Sequence, residues 1–403
     1  MTAASFRTGW LGQVLAILSA AGVSMATALP ARSAGPLRDM RRPSHQSLVR
    51  PVAVFGSDDR TNVPREFEQV ARKIGLLFNN RTRTVCTAFC VAENIVATAS
   101  HCLGRSSGKV PTRYSDFVFA RDFDRIRDFS RIEGASRGAG GQHILAGSYG
   151  LKTRPPIDAI NDWALFRLDR KGCPGGGLPF AVMSSGDLMG EAAKGRIFQI
   201  SYHRDWAQWR PAFAKACPVG RDFKAASWKT ISSEFVNPES MVLHTCDTGG
   251  GSSGSPVFAM TANGPAVVAI NVGTYVQSDL PSGKRGREAT AKMKIETVAN
   301  TAVNAEIFIA HIERLASAAI LPSTQSIKEL QDLLIARGFL ADVADGSYGP
   351  KLKAAIMAYE RANGLPPSGL ATKELLLRLT AQAAHAARSG ALAPTRSHPS
   401  GLR

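Results

Sequence analysis

The chain has 403 residues and a formal net charge of +17 at pH 7, with 44% hydrophobic and 7% aromatic residues. That length exceeds one typical domain and predicts two, with loose ends, and the composition is that of a soluble globular protein. The charge predicts attraction to anionic surfaces, but the basic residues are scattered and do not alternate with aromatic stacking positions, which excludes a dedicated nucleic-acid groove.

In chain order, residues 1–28 read as an export signal. Arg7 supplies the positive end, positions 10–23 a mostly apolar run, and Ala26-Thr27-Ala28 the small residues of a cleavage site. Gln13, Ser19, Gly22 and Ser24 interrupt that run, so no membrane span is expected after the signal is removed. Residues 29–50, rich in Arg, Pro and Ser, read as a pro-segment or loose arm. The six cysteines, Cys86, Cys90, Cys102, Cys173, Cys217 and Cys246, suit up to three disulfides in an oxidising compartment. Cys86 and Cys90 alone make a poor zinc signature, and no metal or other cofactor is expected.

From 51 to 318, short apolar runs at 73–78, 86–91, 94–99, 117–120, 163–168, 196–200, 241–244, 256–260 and 266–272 are separated by turn residues. Many short strands predict a mainly β fold, a sandwich or barrel. Val303, Ile307, Ala310 and Leu315 recur at helical intervals, which predicts a closing helix over 302–317. Residues 319–325 read as a linker. Three apolar stripes follow, Ile327/Leu330/Leu334, Leu352/Ala355/Ile356/Tyr359 and Leu375/Leu376/Leu379, and predict a three-helix unit over 326–382. A disordered tail is expected over 383–403.

The chemistry concentrates in three places. Ser253 lies in Gly249-Gly250-Gly251-Ser252-Ser253-Gly254-Ser255-Pro256, directly before an apolar run, which suits a tight turn better than a linker. A serine hydroxyl needs a base and donors for the oxyanion it creates, and glycines let amides turn inward. Gly251 and Ser253 are the expected amide donors. His101 ends an apolar strand just before Cys102, and Asp162 precedes Trp163-Ala164-Leu165-Phe166, where its carboxylate could orient an imidazole. His143 and His203 remain open as alternative bases; His244 suits a β core, His311 the closing helix, and His45, His385 and His398 loose segments.

Val54-Phe55-Gly56-Ser57-Asp58-Asp59-Arg60, Thr98-Ala99-Ser100-His101-Cys102, Asn161-Asp162-Trp163-Ala164-Leu165 and Gly251-x-Ser253-Gly254-Ser255-Pro256 occur in that order. Together they resemble the trypsin-like serine proteases of chymotrypsin fold, and among them the bacterial glutamyl endopeptidase-like branch. The resemblance implies a double barrel of six strands each with the site between the barrels. It also implies a Cys86–Cys102 bridge, a His101/Asp162/Ser253 triad, and a substrate pocket walled by Asn271, Val272 and Gly273. Two departures stand out. Ser252 occupies a place where relatives carry Asp or Asn, which removes an internal activating salt bridge. Asn271 stands where glutamate-specific relatives carry a histidine, so cleavage after glutamate is not carried over.

Residues 326–382 resemble a peptidoglycan-binding domain through Leu330-Gln331, Gly338-Phe339, Asp345-Gly346-x-Tyr348-Gly349, Ala355-Ile356, Tyr359 and Gly364-Leu365. Leu352, Glu360 and Ser368 replace residues more usual there. The expected partners are protein or peptide substrates and, through 326–382, peptidoglycan. The expected protein is an exported serine endopeptidase, periplasmic or extracellular and tethered to the envelope. The rival is a catalytically silent protease-like binding protein. A cell-wall hydrolase would need paired carboxylates or a metal site, and no place suits either.

Overall fold

The computed structural model describes residues 53–104, 112–123, 129–148, 154–215, 217–278 and 295–391. The expected export signal and most of the adjoining arm lie outside them, as does the end of the expected tail.

Strand β1 (Thr61–Asn62) and the short helix α1 (Glu68–Ala71) lead into the first sheet. It contains β2 (Ile74–Asn79), β3 (Val85–Ala92) and β4 (Ile95–Thr98), then, after helix α2 (Ser100–Leu103), β5 (Phe117–Arg121), β6 (Phe129–Arg131), β7 (Ile144–Ala146) and β8 (Ala164–Arg167). The sheet is antiparallel in the order β6-β5-β2-β3-β4-β8-β7. Strands β3 and β4 are buried almost throughout, so they read as continuous apolar runs and not as alternating ones.

Helix α3 (Ser185–Ala193) follows, its start closed by a capping box between Ser184 and Asp187. The second sheet adds β9 (Ile197–Tyr202), β10 (Pro211–Ala214), β11 (Met241–His244), β12 (Pro256–Thr261), β13 (Gly264–Ser278) and β14 (Ile295–Asn304), with helix α4 (Trp228–Glu234) before β11. Its order is β1-β10-β9-β12-β13-β14-β11. Each sheet therefore has seven strands among the described residues, not the expected six. The added members are short or edge pieces such as β1 and β6. The second sheet curls into a half barrel and the first is less closed.

Helix α5 (Ala305–Ser317) begins at Asn304, whose side chain caps it by accepting from the Glu306 amide. The expected start at 302 falls inside β14, because Ala302 and Val303 pair with Val242 and Met241 before the chain turns helical. Phe308 and Leu315 bury the inner face of α5 in the core of the first sheet.

Helices α6 (Thr324–Ala336), α7 (Pro350–Ala362) and α8 (Lys373–Ala391) surround a separate apolar core that includes Leu330, Leu334, Ile356, Tyr359 and Leu379. Ser323 caps α6, and Pro350 occupies the first turn of α7, where its missing N–H costs nothing. The expected linker is tied down: the Leu321 amide donates to Ala371 O at 2.9 Å and Lys373 N–H donates to Ala319 O at 2.8 Å. Helix α8 runs past the expected boundary at 382, so 383–391 and His385 are helical instead of loose. No helix among the described residues is long and apolar enough to cross a membrane.

Candidate active site

The carboxylate of Asp162 is 1% exposed and accepts three hydrogen bonds. Oδ1 takes the Ser100 hydroxyl at 2.8 Å and the His101 amide at 2.9 Å, and Oδ2 takes His101 Nδ1–H at 2.7 Å. Its place follows from the sheet: β4 pairs with β8, so the ends of those strands bring His101 and Asp162 side by side. Ser100, His101 and Asp162 thus form a closed Ser–His–Asp network. Burial on its own would lower the His101 pKa, but the charge and hydrogen bond of Asp162 together outweigh it and raise the pKa above the ordinary imidazole value. With Nδ1 engaged, Nε2 is the nitrogen left to exchange a proton.

Three disulfides, Cys86–Cys102, Cys90–Cys173 and Cys217–Cys246, join all six cysteines. The first fixes the residue next to His101. Cys86, His101 and Cys102 cluster closely enough to suggest metal ligands, but their sulfurs form this disulfide and offer no thiolate.

Ser253 is half-buried on the turn before β12 and packs on the strand ends that carry His101. The Thr87 amide donates to Ser253 O at 2.9 Å. Gly254 has a φ of +85°, and a Cβ there would come within 2.2 Å of Thr87 O and Thr98 Oγ1, so only glycine permits this approach. The sulfur of Cys102 lies 3.8 Å from Ser253 O and 3.7 Å from His101 Nε2, which sets the serine turn beside the free face of the imidazole. Within this arrangement the Ser253 hydroxyl donates to Val272 O at 3.4 Å, and among the described residues no hydrogen bond joins it to His101. The expected direct contact is thus open in this state: the hydroxyl is turned toward β13 by a long bond of little strength. Catalytic hydrogen bonds often tighten only when substrate is bound.

Gly251 has a φ of +108°, a conformation that turns its amide without a Cβ clash. Among the described residues neither its N–H nor that of Ser253 has an acceptor within the protein, whereas the Ser252, Gly254 and Ser255 amides do.

Thr87 is a residue that pattern reading missed. Fully buried, it donates its hydroxyl to Gly251 O at 2.8 Å and accepts the Tyr202 amide at 3.1 Å, so one side chain fastens the first sheet to the serine turn. Nothing in the local sequence signals this, since its partners stand 164 and 115 residues away.

Asn271 is 2% exposed and directed inward, with Nδ2 donating to Ser252 O at 3.2 Å and Oδ1 accepting from His244 Nε2 at 3.1 Å. Beyond it, Thr274 donates to Asn300 Oδ1 at 2.8 Å, Thr248 donates to the same oxygen at 3.3 Å, and Thr301 donates to Gly273 O at 3.3 Å. These groups are all neutral. The other histidines serve elsewhere: His203 is buried against Ser201, His143 is buried in the first half, and His311 stacks on Trp163 at 4.8 Å.

In the C-terminal unit, Tyr348 donates to Gly369 O at 2.6 Å, and a Cβ on Gly141 would lie 3.5 Å from its ring. Lys353 Nζ donates to Ile144 O at 3.3 Å, and burial lowers its pKa to about 8. Both residues thus face the β7 edge of the first sheet. Glu360, buried, accepts from the Ser368 amide at 2.6 Å, the Ser368 hydroxyl at 2.5 Å and the Gly369 amide at 2.9 Å. The unusual Glu360 and Ser368 are therefore partners of each other.

Residues 86–270 match the model of the trypsin-like peptidase domain, and residues 323–379 that of the peptidoglycan binding domain. No curated protein matches the chain. Among solved structures, a Glu endopeptidase is 16% identical, with a TM-score of 0.43 over 66% of this chain and 100% of its own. The secreted serine protease VesC from Vibrio cholerae is 12% identical, with a TM-score of 0.44 over 65% of this chain and 49% of its own. The chain thus carries a trypsin-like serine protease domain in which a Ser–His–Asp network is assembled, with a separate peptidoglycan-binding domain behind it.

Proposed function

We propose that the protein is an exported serine endopeptidase held at the cell envelope by its C-terminal domain, with Ser253 as nucleophile, His101 as proton carrier and Asp162 as the carboxylate that orients it. The observation that carries this reading is the buried Asp162–His101 pair, whose remaining nitrogen faces the sulfur that also touches the Ser253 turn. Ser100 is the competing hydroxyl, but it is 3% exposed and its O–H already donates a hydrogen bond to Asp162. It supports the carboxylate and has no access to a substrate carbonyl.

In the acylation step the Ser253 hydroxyl turns from Val272 O toward His101. Its oxygen bonds to the peptide carbonyl carbon while its proton passes to Nε2. The carbonyl π pair moves onto oxygen, where the open amides of Gly251 and Ser253 receive it. Collapse breaks the C–N bond, and Nε2 returns the proton to the leaving amine. Water then attacks the acyl ester, giving a proton to Nε2; Ser253 leaves, regains that proton, and the acid is released.

Gly273 and Thr274, half-buried and neutral on β13 just past Val272, support a preference for uncharged residues before the cleaved bond. The three disulfides suit an oxidising compartment, in keeping with export. A peptide library digested with the protein, against Ser253→Ala as control, tests the reading. Internal cleavage absent from the control is expected, without enrichment of Lys, Arg, Asp or Glu before the cut. Absence of cleavage by the folded wild type would favour a silent binding protein. Retention on isolated peptidoglycan, lost when the chain ends at 322, tests the tether.

A further inference from the structure

The Gly251 and Ser253 amides can receive an oxyanion only while the loop from Cys246 to Gly254 keeps one backbone path. Ser252 cannot hold that path by charge, so the restraint comes from around the loop. The Cys246 amide donates to His244 Nδ1 at 3.2 Å, and the Gly249 amide donates to His203 Nδ1 at 2.9 Å. Between these two points Asp247 is 3% exposed, and its two carboxylate oxygens accept the amides of Phe55 at 2.7 Å and Asp59 at 2.9 Å. Thr248 pairs its backbone with Ala53 in both directions, at 3.0 and 2.9 Å.

We infer that Asp247 and the arm formed by residues 53–60 are an internal clamp that keeps the oxyanion amides in catalytic geometry, so that competence depends on docking of this arm and not on a newly made amino terminus. This rests on the function proposed above. A buried carboxylate is tolerated only with its lone pairs satisfied, and both donors to Asp247 come from one short stretch of chain. Arm and loop therefore order together: undocking the arm strands the carboxylate, and moving the loop strands the arm's amides.

The arm has its own anchor. Arg60, with its side chain 3% exposed, forks between Asp58, with Nη2 at 2.7 Å, and Asp205, with Nη2 at 2.9 Å. Its guanidinium stands 5.5 Å from the Trp206 ring centroid. Asp205 follows Arg204, whose amide donates to Gly250 O at 2.6 Å, so the arm braces the loop on both sides of Gly249. Immediately after Arg60, β1 pairs with β10 of the second sheet. Asp247 is thus a positioning residue that acts through the amides and touches no substrate.

The test measures phosphonate labelling and hydrolysis of a peptide amide by the full chain before and after its amino terminus is trimmed to residue 49, and by the Asp247→Asn and Arg60→Lys variants. Equal labelling rates before and after trimming are expected. Asp247→Asn should lower kcat roughly 100- to 1000-fold, as the loss of an oxyanion donor does, with KM nearly unchanged. It should also weaken a peptide boronate in parallel with kcat/KM. Arg60→Lys, which keeps the charge and loses the fork, should give a smaller fall in kcat and a proportionate slowing of phosphonate labelling. A tenfold rise in labelling on trimming would overturn the inference, as would an Asp247→Asn protein with wild-type kcat. If Asp247→Asn does not fold, the trimming comparison and Arg60→Lys decide. Failure of the wild type to label in either form would instead overturn the peptidase reading beneath it.

Discussion

Among the described residues Asp162 has three donors and no cation other than His101, so the residues around it rank by what their loss would leave unpaired. Ser253→Ala removes the nucleophile and should lower kcat by roughly 10⁴- to 10⁶-fold. Ser100→Ala removes one hydrogen bond to a carboxylate, worth about 1.5–3 kcal/mol, and should lower kcat at most about 100-fold while phosphonate labelling persists. The kinetics of these two variants separate the two serines. His101 works as a base only when neutral, and its pKa is raised, so kcat/KM should fall as pH drops through a midpoint above about 6.5. Asp162→Asn withdraws the charge that raises this pKa; it should move the midpoint down and reduce kcat by about 10⁴-fold. A pH–rate profile that keeps its midpoint in Asp162→Asn would contradict the assignment. The place of His101, Asp162 and Ser253 at turns beside apolar runs was legible in the sequence, and the pairing of His101 with Asp162 follows from β4 meeting β8. The inward turn of Asn271 was not legible, since its partner His244 is set by pairing across the second sheet.

At the level of elements, Thr87 on β3 joins the two halves. Thr87→Ala removes both the donor to Gly251 O and the oxygen that accepts the Tyr202 amide, a cost of about 1–3 kcal/mol. A lowered melting temperature with a fall in kcat larger than any change in KM is expected; a loss of stability with unchanged kcat would make Thr87 purely structural. The Cys86–Cys102 bridge spans 16 residues, and its removal should cost about 3 kcal/mol on the loop-entropy scale. Strands β3, β4, β8 and β12 could be read directly, as buried apolar runs bounded by turn residues. Strand β14 could not: Asn300, Thr301 and Asn304 break its apolar run, and their side chains are satisfied by contacts distant in sequence, such as Asn300 Nδ2 to Cys246 O at 2.7 Å. The last turns of helix α8 leave no trace in the sequence pattern because they are mostly Ala and carry no apolar stripe.

Across the whole molecule, buried neutral groups set the pH limits of stability. Burial lowers the pKa of both His203 and His244 to about 4, with the Arg60 charge adding to it at His203 while Asp205 and Asp58 oppose. The unfolded chain takes up these protons near pH 6.5 and the folded chain only near 4. The stability they confer is therefore complete above 6.5 and lost as pH falls toward 4, on the order of 3 kcal/mol for each. Urea midpoints that decline between pH 7 and 4.5 are expected, and a flat profile would contradict the neutral, amide-accepting state of both rings. The C-terminal unit covers the β7 edge through Lys353, so a chain ending at 322 should still cleave soluble peptides but unfold at a lower temperature. Its three-helix pattern was visible in the sequence; its seat on the first sheet was not, because Tyr348 and Lys353 look like ordinary surface residues until the chain is folded. The most direct measurement is the site of covalent labelling by a serine-reactive phosphonate, mapped by mass spectrometry on the folded wild type. One adduct on Ser253, abolished in His101→Ala, is the predicted result; an adduct on Ser100, or none at all, would contradict it.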